Sequence, residues 1–209
     1  MQNPALKNTH TAGLTLHSAF FYDLTVAAMM LGRERSMRER ILRLARLAPG
    51  EAALDVGCGT GTLAIAAKRL VGPTGSVNGV DASPEMLARA RRKAARAGVE
   101  VGFEKAFVQS LPFGDARFDA VTSTVMLHHL PREARRLCAG EIRRVLKPGG
   151  RVLAVDFGGS HSRFFDKLHR HGHMTLADIE AVLKEAGLRL VESGPVGTAN
   201  LLYALAVRE

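Results

Sequence analysis

A chain of 209 residues is long enough to bury one sizeable core and too short for two comfortable domains. With 46% apolar and 23% charged residues, its composition excludes a disordered or fibrous protein. The two cysteines, Cys58 and Cys138, are too few for a disulfide scaffold or a tetrahedral thiolate metal site and are read as reduced packing residues.

The net charge of +9 is carried mainly by arginine, 22 of the 29 basic residues. Many fall on polar helix faces such as LARARRKAARAG (87–98), where a solvated face is the plain reading. No aromatic residue interleaves with them, which disfavours a single-stranded nucleic-acid track. The apolar run LTVAAMML (24–31) is far shorter than the roughly 20 residues that cross a bilayer. No basic leader with a cleavable apolar segment opens the chain, so a cytoplasmic protein is expected.

In chain order, residues 14–48 repeat apolar positions at three- and four-residue steps with a break near Gly32. They predict an N-terminal helical lid or substrate segment (1–48) ahead of a core domain (49–209). After PGE (49–51) the pattern changes. AALDVG (52–57) reads as a buried strand, the stretch ending at Gly72 as a helix, and GSVNGVDA (75–82) as a second strand. Ser83 is a natural N-cap, with Pro84 at the first position of the next helix. EVGFEKAFV (100–108) and RFDAVTSTVML (117–127) predict the third and fourth strands. A helix over 132–146 is stopped by KPGG, and RVLAVDF (151–157) is the fifth strand. A helix over 175–187 then precedes LRLVESG (188–194) and NLLYALAVRE (200–209), two strands joined by PVGTA. So short a link holds no crossover helix, so this pair is an antiparallel hairpin. The alternation before it predicts an α/β fold, a mostly parallel seven-stranded sheet between helical layers with a C-terminal antiparallel strand.

Ligands of such sheets sit at the carboxyl ends of the strands, beside the first strand-to-helix turn. That turn is Gly57-Cys58-Gly59-Thr60-Gly61, spaced GxGxG, where the dinucleotide fingerprint requires GxGxxG. Asp81 follows Gly61 by 20 residues and closes the second strand, where a carboxylate accepts both hydroxyls of a ribose. An N-cap role for Asp81 is the alternative, but Ser83 already serves it. Loop and acid together point to an adenosine-containing cofactor.

LDVGCGTG, GVDASPEML, SLPF, FDAVTSTVMLHHL and VLKPGGRVLAVDF, in order over residues 52–156, resemble the successive motifs of class I S-adenosylmethionine-dependent methyltransferases. FYDLTVAAMMLGRERSMRERIL (20–42) is more loosely similar to the opening of the UbiE/MenG quinone C-methyltransferases and related phospholipid methyltransferases. The resemblance implies a Rossmann-like three-layer αβα sandwich that binds S-adenosyl-L-methionine and releases S-adenosyl-L-homocysteine. It places Gly57, Gly59 and Gly61 against the methionine part, Asp55 at the loop and the ammonium group, and Asp81 on the ribose. Ala82 and Met86 then pack on the adenine, the Val108 N–H meets its ring, and Thr124 lies at the methionine end. Many relatives carry an acid four residues before the LPF leucine, where it accepts from the adenine amino group. Here that residue is Phe107.

Methyl transfer is an in-line displacement, so alignment is the protein's main task, and an oxygen or carbon nucleophile also needs a base. His128 and His129 follow strand four, and Asp156 ends strand five on the same edge. His129 is the expected base or substrate partner, with Asp156 orienting it or the substrate, against the plainer reading of loop histidines that pack or cap. Tyr22 is a candidate to close over the cofactor. His161, His169, His171 and His173 are read as a polar substrate lid, with Phe164 and Phe165 lining the acceptor pocket, rather than as a metal site, so no metal is expected. The fourth-strand end lacks the Asn-Pro-Pro-aromatic element of DNA amino-methyltransferases and a Pro-Cys nucleophile, and the cysteines do not match multi-cysteine arsenic methyltransferases. The expected activity is O- or C-methylation, ahead of N-methylation, of a small hydrophobic or aromatic acceptor, quinone- or lipid-like in keeping with the N-terminal similarity. Peripheral contact with anionic membrane would then suit the basic surface. An NAD-dependent oxidoreductase and a non-catalytic cofactor- or nucleic-acid-binding protein are the alternatives.

Overall fold

The computed structural model describes residues 34–158, 174–197 and 200–209. Within them the helices are α1 (Glu34–Leu44), α2 (Thr62–Val71), α3 (Pro84–Ala97), α4 (Arg132–Val145) and α5 (Leu176–Glu185). The strands are β1 (Ala52–Val56), β2 (Ser76–Asp81), β3 (Gly102–Lys105), β4 (Phe118–Thr124), β5 (Leu146–Phe157), β6 (Arg189–Pro195) and β7 (Leu201–Val207). They join in one sheet ordered β3-β2-β1-β4-β5-β7-β6. β1 to β5 pair in parallel, and β7 pairs antiparallel with both β5 and β6. The expected Rossmann-like α/β sandwich is therefore present, and its antiparallel strand lies inside the sheet while β6 takes the edge.

The two-residue period of the strands divides the core between two faces. On one face Leu54, Val56, Val152 and Ala154 meet Cys138 and Ile142 of α4 and Ile179 and Leu183 of α5. On the other, Ala53 meets Ala64 and Val71 of α2 and Leu87 and Ala90 of α3, and Leu153 and Val155 meet Met37 and Ile41 of α1. Each large aliphatic side chain buried this way contributes roughly 1.5–3 kcal/mol.

Local chemistry sets the helix ends. Ser83 Oγ accepts the Met86 N–H at 3.3 Å, Pro84 takes the first position of α3, and Gly98 closes it in the left-handed region. α5 opens on a capping box in which Thr175 Oγ1 accepts the Asp178 N–H at 3.1 Å and Asp178 Oδ2 accepts the Thr175 N–H at 2.8 Å. Three boundaries differ from the sequence reading. β3 covers only Gly102–Lys105. β5 begins at Leu146, because Leu146 pairs with Phe118 and a register shift before Arg151 absorbs the KPGG turn. β4 stops at Thr124, because Val125 turns into the left-handed region at φ 54° and a 3-10 turn, Leu127–His129, comes next.

Of the N-terminal segment, residues 34–48 are described, and the C-terminal end of α1 is tied to the core. Arg151 Nε donates to the Ala45 carbonyl at 2.7 Å, and its two Nη atoms grip the Glu51 carboxylate at 2.8 and 2.7 Å. Residues 1–33 of the expected 1–48 lid segment, Tyr22 among them, and His161, His169, His171 and His173 with Phe164 and Phe165 lie outside the described residues. Among the described residues no helix is long and apolar enough to cross a membrane.

Candidate active site

From β1 the chain builds outward through β2 to β3, then returns to the other side of β1 for β4. The crevice of such a sheet opens at this switch, between the carboxyl ends of β1 and β4. The glycine loop leaves β1 there. The N–H groups of Gly57 and Cys58 both donate to the Val80 carbonyl at 2.9 Å, and that of Gly61 donates to the Cys58 carbonyl at 2.9 Å. Gly57, Gly59 and Gly61 all adopt left-handed φ, at 75°, 53° and 73°.

Packing separates the three glycines. A Cβ on Gly57 would lie 2.5 Å from Met126 Cγ, and one on Gly61 would lie 2.7 Å from Phe103 and 2.8 Å from Ala90. A Cβ on Gly59 would meet nothing within 4 Å. The outer two are required by the protein's own contacts, whereas the middle one borders open space.

Asp81 holds that middle glycine. Its Oδ2 accepts the Gly59 N–H at 2.8 Å and its Oδ1 the Ser83 N–H at 2.9 Å. Each oxygen keeps a second lone pair, the capacity a ribose diol needs. Lys93 braces the loop from α3 by donating to Thr60 Oγ1 at 2.7 Å and Thr62 Oγ1 at 3.2 Å. Beneath the loop, Asp55 is buried and accepts a hydrogen bond from Thr122 Oγ1 at 2.8 Å. Burial pushes its carboxyl up to about 7 against the Thr122 bond, and the like charge of Asp81 pushes the same way. An ammonium group placed beside Asp55 would offset that burial penalty.

Thr124 ends β4 with its Oγ1 buried and, like Ser123 Oγ, without a hydrogen-bond partner among the described residues. Beyond β2, Ala82 is half-buried, Met86 and Val108 are buried, and Phe107 stands 60% exposed. The Ala106 N–H donates to the Asp81 carbonyl at 3.2 Å, which holds the Phe107 loop against the end of β2. An open glycine, a carboxylate with spare lone pairs, a buried acid with no cation beside it among the described residues and an exposed aromatic ring fit the adenosine cofactor implied by the resemblance. Asp81, Gly59 and Asp55 would hold its ribose and amino acid ends. Ala82, Met86, Phe107 and Val108 would border its base.

The other half of the edge belongs to β4 and β5. Val125, a β-branched residue at positive φ, donates its N–H to the Val155 carbonyl at 2.8 Å and carries strain on the order of 1–3 kcal/mol. Asp156 at the end of β5 is fully buried. Its Oδ1 accepts from His128 Nδ1 at 2.6 Å and from the Phe157 N–H at 2.8 Å, and its Oδ2 accepts the His128 N–H at 3.0 Å. The sequence expectation has Asp156 orienting His129 or the substrate, and in the structure Asp156 binds His128. The 3-10 turn explains the difference, since at about three residues per turn adjacent histidines point in different directions and only one faces β5. His129 is half-buried and lies against His128, with ring centroids 3.8 Å apart. Asp156 thus bonds a histidine whose ring lies against that of His129.

Two residues of this edge, Thr122 and Lys93, are absent from the sequence expectations, and His128 is named there without a role of its own, because LHHL does not say which histidine faces β5. Thr122 had a signal: parallel register sets Asp55 beside Thr122, and the two-residue period puts Thr122 on the same face as Thr124. Lys93 had none, since its partners lie about 30 residues away. Cys58 and Cys138 are free and buried, and burial pushes both thiols up, Cys138 to about 12, which suits packing rather than nucleophilic roles.

Known proteins carry the same organisation. A family model described as a methyltransferase domain matches residues 53–150. The chain is 40% identical over 136 residues to the demethylmenaquinone methyltransferase of Thermus thermophilus, covering 65% of this chain and 60% of that protein. It is 34% identical over 169 residues to the ubiquinone/menaquinone biosynthesis C-methyltransferase UbiE of Teredinibacter turnerae, covering 80% of this chain and 67% of that protein. The fold superposes on the crystal structure of a SAM-dependent methyltransferase from Aquifex aeolicus with a TM-score of 0.70 at 22% identity, covering 82% of this chain and 89% of that one. The chain spans about three fifths of the length of several of the curated relatives it matches. With the methyltransferase-domain match and the UbiE relative covered over two thirds of its length, the chain belongs to the class I S-adenosylmethionine-dependent methyltransferases, in their UbiE-like branch.

Proposed function

We propose that this chain methylates a carbon or oxygen of a small, hydrophobic, quinone-like acceptor. The observation that carries the reading is the meeting, at one strand edge, of the open Gly59 cradle and a histidine backed by a buried His128–Asp156 pair. The names of the Thermus and Teredinibacter relatives supply the acceptor class, since both are quinone-ring methyltransferases.

S-adenosylmethionine supplies a methyl group on a cationic sulfur that leaves as a neutral thioether, so no acid is needed at that end. The protein aligns the acceptor and takes its proton. Asp81 and the Gly59 turn would hold the ribose end, and Asp55 with Thr122 would hold the amino acid end, leaving the β4–β5 turn to the acceptor. His129 accepts the proton of the acceptor hydroxyl, directly or through water. His128 and Asp156 position the His129 ring without touching the acceptor, and Tyr22 and the 161–173 stretch are assigned to closing the pocket.

The test is to incubate the protein with methyl-deuterated S-adenosylmethionine and a short-chain demethylmenaquinol, and to read the product mass. His129→Gln should lower turnover on the order of a hundredfold while leaving S-adenosylhomocysteine affinity unchanged. Unchanged turnover would remove the base role. Binding of S-adenosylhomocysteine with no methylation across quinol, catechol and lipid acceptors would point instead to a non-catalytic binding protein.

A further inference from the structure

The two helical layers carry very different charge. α1, α2 and α3 cover one face of the sheet, with α2 in contact with both α1 and α3. Together they hold eleven Lys and Arg against Glu34, Glu39 and Glu85, a surplus of eight in a chain whose net charge is +9. α4 and α5 on the opposite face hold six basic and five acidic residues.

Pairing differs as well, although Arg35 of α1 pairs with Glu39 at 3.0 Å. On α4, Arg136 binds Glu133 at 2.7 Å, and Arg144 binds Glu141 at 2.7 Å and Asp115 at 2.8 Å. On the α1–α3 face, Arg40, Arg43, Arg69, Arg92 and Arg96 are exposed and hold no ion pair or hydrogen bond among the described residues. The stretches outside those residues cannot neutralise the face, because they contribute only Asp23 and Asp166 against five basic residues. An ordinary solvated surface intersperses both signs, so a layer with a surplus of eight positive charges and five guanidinium groups outside any ion pair calls for an anionic counterpart.

We infer that the α1–α3 face docks on an anionic lipid bilayer. Guanidinium groups bind phosphate strongly and several at once, as a headgroup layer offers them. The three helices contain no aromatic residue, so among the described residues they offer no stacking platform for single-stranded nucleic acid. Leu70 of α2, 46% exposed next to Arg69, adds an apolar side chain of the kind that enters the headgroup boundary. The choice of lipid over duplex nucleic acid rests on the proposed hydrophobic acceptor, which would reside in a membrane.

Cosedimentation with phosphatidylcholine vesicles, with and without phosphatidylglycerol, tests this. The full chain should bind only the anionic vesicles and should be released by salt. Each arginine removed should lower partitioning roughly fivefold. R40Q/R43Q and R92Q/R96Q should therefore each lose more than tenfold, with unchanged melting temperature and unchanged methylation of a water-soluble quinol. R132Q/R136Q on the opposite face should bind as the parent does. Absence of binding to anionic vesicles, equal loss in all three variants, or displacement from vesicles by equimolar duplex DNA would overturn the proposal. Vesicle binding without methylation of any quinol would overturn the acceptor reading and leave the docking face standing.

Discussion

The two halves of the carboxyl edge use their carboxylates in opposite ways. Around the glycine loop, Asp81 has lone pairs to spare, Asp55 has a single side-chain partner, and Thr124 Oγ1 has none among the described residues. At the β4–β5 end, Asp156 takes three N–H donors, all from the protein. A buried polar group left partly unmatched loses free energy that a ligand can restore, whereas a matched one stabilises the fold itself. The first half is built to receive a ligand, and the second to hold a turn in place.

The sharpest way to break that contrast is Asp156→Ala. It strands the His128 ring and two backbone N–H groups in a dry site and should cost about 3–5 kcal/mol in urea unfolding. A loss under about 1 kcal/mol would mean that the three N–H bonds of Asp156 do little to hold the turn.

Asp55 should behave in the reverse sense. Its folded carboxyl titrates near 7, whereas the unfolded one titrates at its ordinary 3.8. Between these values the folded chain binds more protons, so stability falls as pH rises from about 4 to about 7 and then levels off. The full effect is roughly 4 kcal/mol. Asp55→Asn should therefore stabilise the protein at pH 8 and leave it nearly unchanged at pH 4. It should also abolish the rise in S-adenosylhomocysteine affinity that the parent shows as Asp55 ionises.

The loop provides a third comparison. Gly61→Ala adds left-handed strain to an overlap with Phe103 and Ala90, and should destabilise by about 3 kcal/mol. Gly59→Ala meets no protein atom and should cost only about 1–2 kcal/mol of strain. Its methyl enters the open side of the loop, so it should weaken S-adenosylhomocysteine binding out of proportion to stability, as calorimetry would show.

What could be read from the sequence divides along the same line. The ligand-receiving half is written in local spacing: glycines at fixed offsets, an acid 20 residues on, and a cap at Ser83 that leaves Asp81 available. Backbone conformation and strand register are set by those signals, and the sheet with them. The turn-holding half depends on a direction that no local pattern encodes. LHHL names two histidines, but which of them faces β5 is decided by Val125 in the left-handed region and the 3-10 turn after it. The insertion of β7 between β5 and β6 was hidden for a similar reason, since hairpin length fixes that two strands pair but not which of them meets the rest of the sheet.

Phe107 is the smallest lever and the most specific to this chain. It stands exposed beside Asp81, at the position where many relatives carry an acid facing the adenine amino group. An exposed side chain contributes little to the fold, so Phe107→Asp should change stability by less than about 0.5 kcal/mol. If the adenine lies along this loop, the new carboxylate gains a hydrogen bond to its amino group worth about 1 kcal/mol, and S-adenosylhomocysteine should bind roughly fivefold tighter. A parallel Phe107→Ala variant separates the hydrogen bond from the ring's own contact. Weaker binding in Phe107→Ala together with tighter binding in Phe107→Asp would mean that Phe107 replaces an absent hydrogen bond with packing on the base. Equal affinity in all three proteins would place the adenine elsewhere along the β2–β3 edge.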